Sequence, residues 1–409
     1  MAREPLTTAV PARRGWTAAP AAVRVAVIYL AARVVTTAFL FVVATIASPA
    51  SRIGADGSIG SIALAWDAQW YWFVALNGYP NELPLTDSGA VAENGWAFMP
   101  LYAHLAALVG LPFGAWGVGA VIVSLVAGYL ASLVLYRLLR ERQDIGTATW
   151  AVVFFAAGPL SALFQVGYAE SLFLLWLFLA LWCVSRRRFG WLYLLIPLMG
   201  YTRPGVLAFA LFLGLYGIAR WVTRARDPLR AVEIVHIVAL GALATIVGFS
   251  WQVIAGIATG DPGAYLATEL AWRRNWIGDA GSHFIPFEGF VLAAGFWFGQ
   301  WGMPAVVGYV ALALAVVGAA AVLLFEPHVR RLGVEIRLWV ASYLVYLLAV
   351  FFPQSSLFRL LVPISPAWGA VAMPRSTPWR VGVLVACLVA QWFWILNMYG
   401  LEQTFWRIP

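Results

Sequence analysis

Apolar residues run through this chain in long blocks that neither alternate nor keep to one face of a helix. Eleven blocks read as membrane-crossing helices, at about 24–46, 117–137, 147–164, 169–185, 190–202, 204–222, 233–257, 303–325, 336–352, 358–373 and 380–399. A bilayer core needs about 20 predominantly apolar residues in a spanning helix. The first block, Val25 to Ile46, has 22, against roughly 7–15 for the core of a signal peptide. It therefore reads as an uncleaved first helix. Two further apolar stretches, 98–113 and 288–301, hold only 14–16 residues and fit interfacial or re-entrant segments better than spans. The expected fold is an all-α polytopic membrane protein: a short N-terminal segment, 1–23, then one transmembrane domain, 24–409.

Composition agrees with the pattern. Hydrophobic residues make up 63% and charged residues 11% of the chain, far from the roughly 45–50% and 25% of soluble domains. Interfacial aromatic belts account for the 22 tryptophans and 15 tyrosines. All 26 basic residues are Arg, which fits a GC-rich coding bias, and the net charge of +8 needs no nucleic acid. Arg137/Arg140/Arg142, Arg186–Arg188, Arg220/Arg224/Arg226/Arg230, Arg330/Arg331/Arg337, Arg375/Arg380 and the N-terminal Arg3, Arg13 and Arg14 all fall on one side of the spans. Positive residues mark the cytoplasmic side, so the N-terminus is expected inside and the C-terminus outside. Cys183 and Cys387 sit within apolar runs and have neither metal-ligand nor disulfide spacing.

On this topology two segments lie outside, 47–116 and 258–302, the second a candidate lid. They hold nine of the eighteen acidic residues: Asp56, Asp67, Glu82, Asp87, Glu93, Asp261, Glu269, Asp279 and Glu288. In the first, Trp66-Asp67-Ala68-Gln69-Trp70-Tyr71-Trp72-Phe73 reads as a helix stopped by Gly78 and Pro80. At helical period Trp66, Trp70 and Phe73 share one face, with Asp67 and Tyr71 about 100° around. The aromatic face is expected to dip into lipid headgroups, holding the carboxylate just above. Asp67 is either a helix-start residue or a general base among aromatics. Glu170, in Gly167-Tyr168-Ala169-Glu170-Ser171, opens a span on the same outer face and carries the same pair of readings. Arg203 in Tyr201-Thr202-Arg203-Pro204-Gly205 interrupts a 33-residue apolar stretch. It lies either at mid-membrane, at a cost of several kcal/mol, or at an outer turn between two short helices; both require an anion partner. Arg359 sits at the outer end of another span, as a phosphate ligand or a snorkelling anchor. Arg33, within the first span, has no partner assigned by the sequence. Carboxylates, arginines and aromatics on one membrane face suit an enzyme acting on an anionic, sugar-bearing lipid.

The series WDAQWYWFVALNGYP, FMPLY, GYAESLF and YTRPG, over roughly residues 60–215, resembles the PIG-V family, whose eukaryotic members are GPI mannosyltransferase II within the GT-C class of multi-span glycosyltransferases. The chain departs from the family at Gln69–Trp70, where members often show His, and at Pro204-Gly205. The resemblance implies a bacterial member using polyprenyl-phosphate mannose, with inverting, metal-independent transfer to an extracytoplasmic cell-envelope glycolipid. Asp67 would be the general base, and Trp66, Gln69, Trp70, Tyr102, Tyr168, Glu170, Arg203 and Arg359 would contact substrate; no cofactor is implied. The alternatives are a GT-C enzyme with another sugar or a protein acceptor, or a transporter or flippase of lipid-linked sugars, which Arg33 would favour. Against the latter stand the acidic residues gathered on outer loops and the lack of internal repeats.

Overall fold

The computed structural model describes residues 19–277, 283–404 and 407–408. Arg3, Arg13, Arg14 and Asp279 lie outside them. Among the described residues the chain is mainly helical and holds no strand, only two isolated bridges. Fourteen helices of nine or more residues follow one another: α1 (Ala21–Ile46), α2 (Asp67–Asn77), α3 (Pro100–Gly110), α4 (Trp116–Arg140), α5 (Ile145–Ala156), α6 (Glu170–Ser185), α7 (Leu192–Gly200), α8 (Val206–Thr223), α9 (Ala231–Thr259), α10 (Ala264–Ile277), α11 (Glu288–Gln300), α12 (Ala305–Phe325), α13 (Val334–Val350) and α14 (Thr377–Ile395). This is the all-α polytopic membrane architecture that the apolar blocks predict.

Six of these helices are long and apolar enough to cross a membrane: α1, α4, α8, α9, α12, and α14 with its continuation to Gly400. The other five expected spans are shorter or broken, for local reasons. Block 147–164 leaves the α-helix at Ala156, ahead of Gly158-Pro159, and resumes as a short 3-10 turn at Ser161–Phe164. Proline disfavours helical geometry in the residue before it. Block 358–373 is split by Pro363 and Pro366 into single turns. Block 190–202 forms the nine-residue α7, with Pro197 inside it. Helix α6 is apolar all round and buried except along a half-buried stripe at Trp176, Leu179 and Trp182, the mark of a helix largely enclosed by other helices. Block 336–352 forms α13, also shorter than a full span.

Helix α3 docks on α4 through a seam of small residues, with Ala103 and Ala106 fully buried. A Cβ at Gly119 would strike the backbone of Ala106 and Gly110, so only glycine permits this approach.

The arginine-bearing turns meet one another. Arg186 pairs with Glu141 at 2.8 Å, Arg142 with Glu335 at 2.9 Å, Arg375 with Asp144 at 3.4 Å, and Arg187 with Asp227. At the other end of α4, the two long acidic segments join. Asn94 donates to Thr268 at 2.9 Å, Arg274 donates to the Val91 carbonyl, and Tyr79, Trp96 and Trp251 pack ring to ring. The C-terminal tail returns to this end, where Gln403 N–H donates to Ala50 at 3.0 Å. At about 1.5 Å per residue, the 25 residues of α4 hold the two ends roughly 37 Å apart.

Arg33 is satisfied within the bundle. It donates to the carbonyls of Ala156 (2.5 Å) and Ser161 and to Gln165 Oε1 (3.2 Å), and lies over the rings of Tyr29 and Phe164. The break between α5 and the 3-10 turn frees carbonyls that a continuous helix would use itself, and Arg33 takes them.

Candidate active site

A cavity of about 870 Å³ opens where the two acidic segments meet the bundle. Its polar wall carries Asp67, Arg203, Arg359 and, from α10, Glu269 and Arg273. Its apolar wall runs down between helices past Leu207, Val247, Phe249 and Leu347. Pockets of this size hold small ligands of mixed polarity.

Asp67 is the first residue of α2, and Trp66 before it has φ 57° and ψ −123°. Such a backbone costs a bulky residue about 1–3 kcal/mol and persists only where the surroundings impose it. Here the Trp66 indole N–H donates to the Met398 carbonyl at 3.1 Å, and the Arg52 guanidinium lies 4.7 Å from the ring centroid. The strained turn directs Asp67 inward as well as starting the helix. Its Oδ2 accepts from Arg359 Nη1 at 2.7 Å. Arg359 Nε lies 3.3 Å from Glu170 Oε1, and the same oxygen accepts from Arg203 Nη1 at 2.6 Å. The result is one chain, Asp67–Arg359–Glu170–Arg203, contributed by four separate segments.

Arg203 lies at a turn between two helices and not within one continuous helix. Helix α7 ends at Gly200, and Gly205 at φ 139° reverses the chain into α8. Arg359 stands on a single helical turn, Leu357–Leu360, after an irregular stretch pinned by the Ser355 hydroxyl donating to Ile408 at 2.7 Å. Glu170 is the first residue of α6; its side chain is only 4% exposed and turns to the two arginines.

Burial raises the Asp67 carboxyl above its ordinary range; Arg359 and Arg203 pull it back, and Glu170 pushes it further up. Burial likewise raises Glu269 and Glu93, with Arg273 opposing both shifts. Among the described residues, no three His, Cys, Asp or Glu side chains are grouped to hold a metal ion. The carboxylates here face guanidinium groups.

Of the residues singled out from the sequence, Trp66, Asp67, Trp70, Arg203 and Arg359 line the cavity. Glu170 stands behind the two arginines. Three others do not reach the lining. Gln69 is exposed and accepts from Arg52 at 2.5 Å. Tyr102 is fully buried, its hydroxyl bonded to the Ala120 carbonyl and Ser124 beside α4. Tyr168 is fully buried with its ring 5.5 Å from the Arg359 guanidinium. The expected lipid face of α2 is also different. Trp70 turns inward, stacked on Phe98 and edge-on to Trp272, leaving Trp72, Phe73 and Leu76 exposed. Docking of α3 on the Tyr71 side rotates the helix from the orientation its aromatics alone suggest.

Glu93, Tyr265, Glu269, Trp272 and Arg273 also line the cavity. Trp272 and Arg273 belong to the run Trp272-Arg273-Arg274-Asn275-Trp276, which the sequence leaves open between binding substrate and lying on lipid headgroups, and Glu93 and Glu269 are among the acidic residues of the two long segments.

No protein-family model matches the chain, and no curated protein matches it in sequence. Solved structures with a similar course include the Archaeoglobus fulgidus oligosaccharyltransferase in complex with Zn and sulfate, 15% identical, covering 92% of this chain and 54% of that one at a TM-score of 0.47. Another is the archaeal oligosaccharyltransferase AglB from the same organism with an inhibitory peptide and a dolichol-phosphate, 12% identical over 92% and 56% at 0.46. The chain thus spans about half the length of these structures.

Proposed function

We propose that the cavity transfers a sugar from a lipid-phosphate carrier to an acceptor hydroxyl with inversion at the anomeric carbon. The observation that carries this reading is the Asp67 carboxylate on the cavity wall, held by Arg359 and, through it, by Glu170 and Arg203. The acceptor oxygen forms the new bond to the anomeric carbon. The bond from that carbon to the phosphate oxygen breaks, and its electron pair stays on the phosphate. Asp67 takes the acceptor's proton. A carboxyl raised by burial is a stronger base than one in water, and guanidinium groups suit the charge left on the phosphate. The apolar wall suits a lipid chain entering from the bundle.

The finer assignment rests on the motif series that resembles PIG-V. It makes the donor polyprenyl-phosphate mannose, the acceptor an extracytoplasmic cell-envelope glycolipid, and the location the plasma membrane with the cavity facing outward. Arg33 lends no weight to a transporter, since its donors are taken by carbonyls inside the bundle.

Mannose transfer from synthetic polyprenyl-phosphate mannose, with EDTA present and host lipids as acceptors, tests the reading. Wild type is expected to turn over and folded Asp67→Asn to lose about 10²–10⁴-fold in rate. Equal rates would remove Asp67 from the chemistry. Failure with every lipid-phosphate sugar would sink the transferase.

A further inference from the structure

Four guanidinium groups line the cavity, those of Arg52, Arg203, Arg273 and Arg359, and they are not equally engaged. Arg203 and Arg359 are committed to carboxylates by contacts of 2.6 and 2.7 Å. Arg52 lies on the Trp66 ring and donates to Gln69. Arg273 is different. Its nearest carboxylate, Glu269, is 3.4 Å away and its contact to Gln354 is 3.3 Å; the Nε atoms of Arg273 and Arg359 both lack a hydrogen-bond acceptor among the described residues, but Arg359 also holds the short 2.7 Å contact to Asp67 that Arg273 has no equal of.

We propose that Arg273 is the cation that binds the phosphate of the lipid-linked donor, while Arg203 and Arg359 hold Glu170 and Asp67 in place. This inference rests on the transferase reading and assigns the phosphate within it. A phosphate drawn to Arg359 would have to break the short pair that positions the base, leaving a buried charge without its partner. A phosphate drawn to Arg273 displaces only two long contacts. The guanidinium is set for such a ligand: it lies 4.9 Å from the Phe352 ring centroid and projects from a regular helix. Burial disfavours its charged form and the Arg359 cation adds a smaller effect in the same direction, both of which a bound anion would offset. A phosphate bound here could be carried on a lipid or be free in solution.

The experiment uses the purified full-length protein as wild type, Arg273→Gln and Arg273→Lys. Calorimetry measures binding of farnesyl phosphate, farnesol and inorganic phosphate, and steady-state kinetics give KM for donor and acceptor separately. Wild type is expected to bind farnesyl phosphate more tightly than farnesol. Arg273→Gln should cut that preference about tenfold or more, the value of a charged hydrogen bond, and raise donor KM with acceptor KM unchanged. Arg273→Lys should restore part of both. Competition by inorganic phosphate would support recognition of the phosphate alone; its failure beside an intact farnesyl phosphate preference would support a lipid-borne headgroup. A wild-type preference and donor KM in Arg273→Gln would overturn the inference, and so would a loss confined to kcat or no phosphate preference in wild type. Transfer that persists beside an unaffected donor KM would overturn this inference alone. A phosphate preference that depends on Arg273 without any sugar transfer would overturn the transferase alone.

Discussion

Asp67 carries two opposing influences whose signs can be separated. Burial and the neighbouring Glu170 raise its carboxyl, and Arg359 and Arg203 lower it. A general base works only when deprotonated, so the acid limb of kcat/KM reports its pKa in the free enzyme. Replacing Arg359 with Gln removes a lowering influence, and the acid limb should move to higher pH. Replacing Glu170 with Gln removes a raising influence, and the limb should move to lower pH. Profiles of both variants check the two signs. Shifts in the same direction, or none, would show that another group controls the limb. Sequence alone could not supply these signs, because Asp67, Glu170, Arg203 and Arg359 come from segments up to 292 residues apart.

Among the helices, the broken ones decide the interior. Helix α5 stops before Pro159, and the carbonyls it leaves behind fall to Arg33 of α1. Substituting Arg33 with Met would orphan those carbonyls, at about 1–3 kcal/mol. The unfolding midpoint in detergent should fall while kcat per folded molecule stays unchanged. A fall in kcat at an unchanged midpoint would instead put Arg33 on a substrate path. The same principle explains why several apolar blocks form helices shorter than a full span. Apolar residues report only avoidance of water, and that is satisfied equally by lipid and by other helices, as α6 shows with most of its residues buried in the bundle.

The whole molecule separates charge by end. Arginine-rich turns pair with one another at one end, and the acidic segments with the C-terminal tail enclose the cavity at the other. By the positive-inside rule, we propose that the arginine end is cytoplasmic. With native Cys183 and Cys387 buried, a membrane-impermeant thiol reagent on intact cells should label Ser88→Cys and spare Arg226→Cys until the membrane is opened. The reverse pattern would turn the molecule over and place the cavity inside.

By itself the sequence determined the class of the fold, the grouping of the arginine turns, and the residues Asp67, Glu170, Arg203 and Arg359. Each rests on a signal carried within a few neighbours: a run of apolar residues, a cluster of like charge, or a charged residue where apolar ones surround it. Tertiary structure alone decided the rest. It joined those four residues into one chain, rotated Trp70 inward, withdrew Gln69, Tyr102 and Tyr168 from the cavity, and brought Glu269 and Arg273 over it. Those outcomes depend on which helices pack together and how far each turns about its axis. Local composition cannot specify them, because a long apolar helix offers almost equal burial on every side.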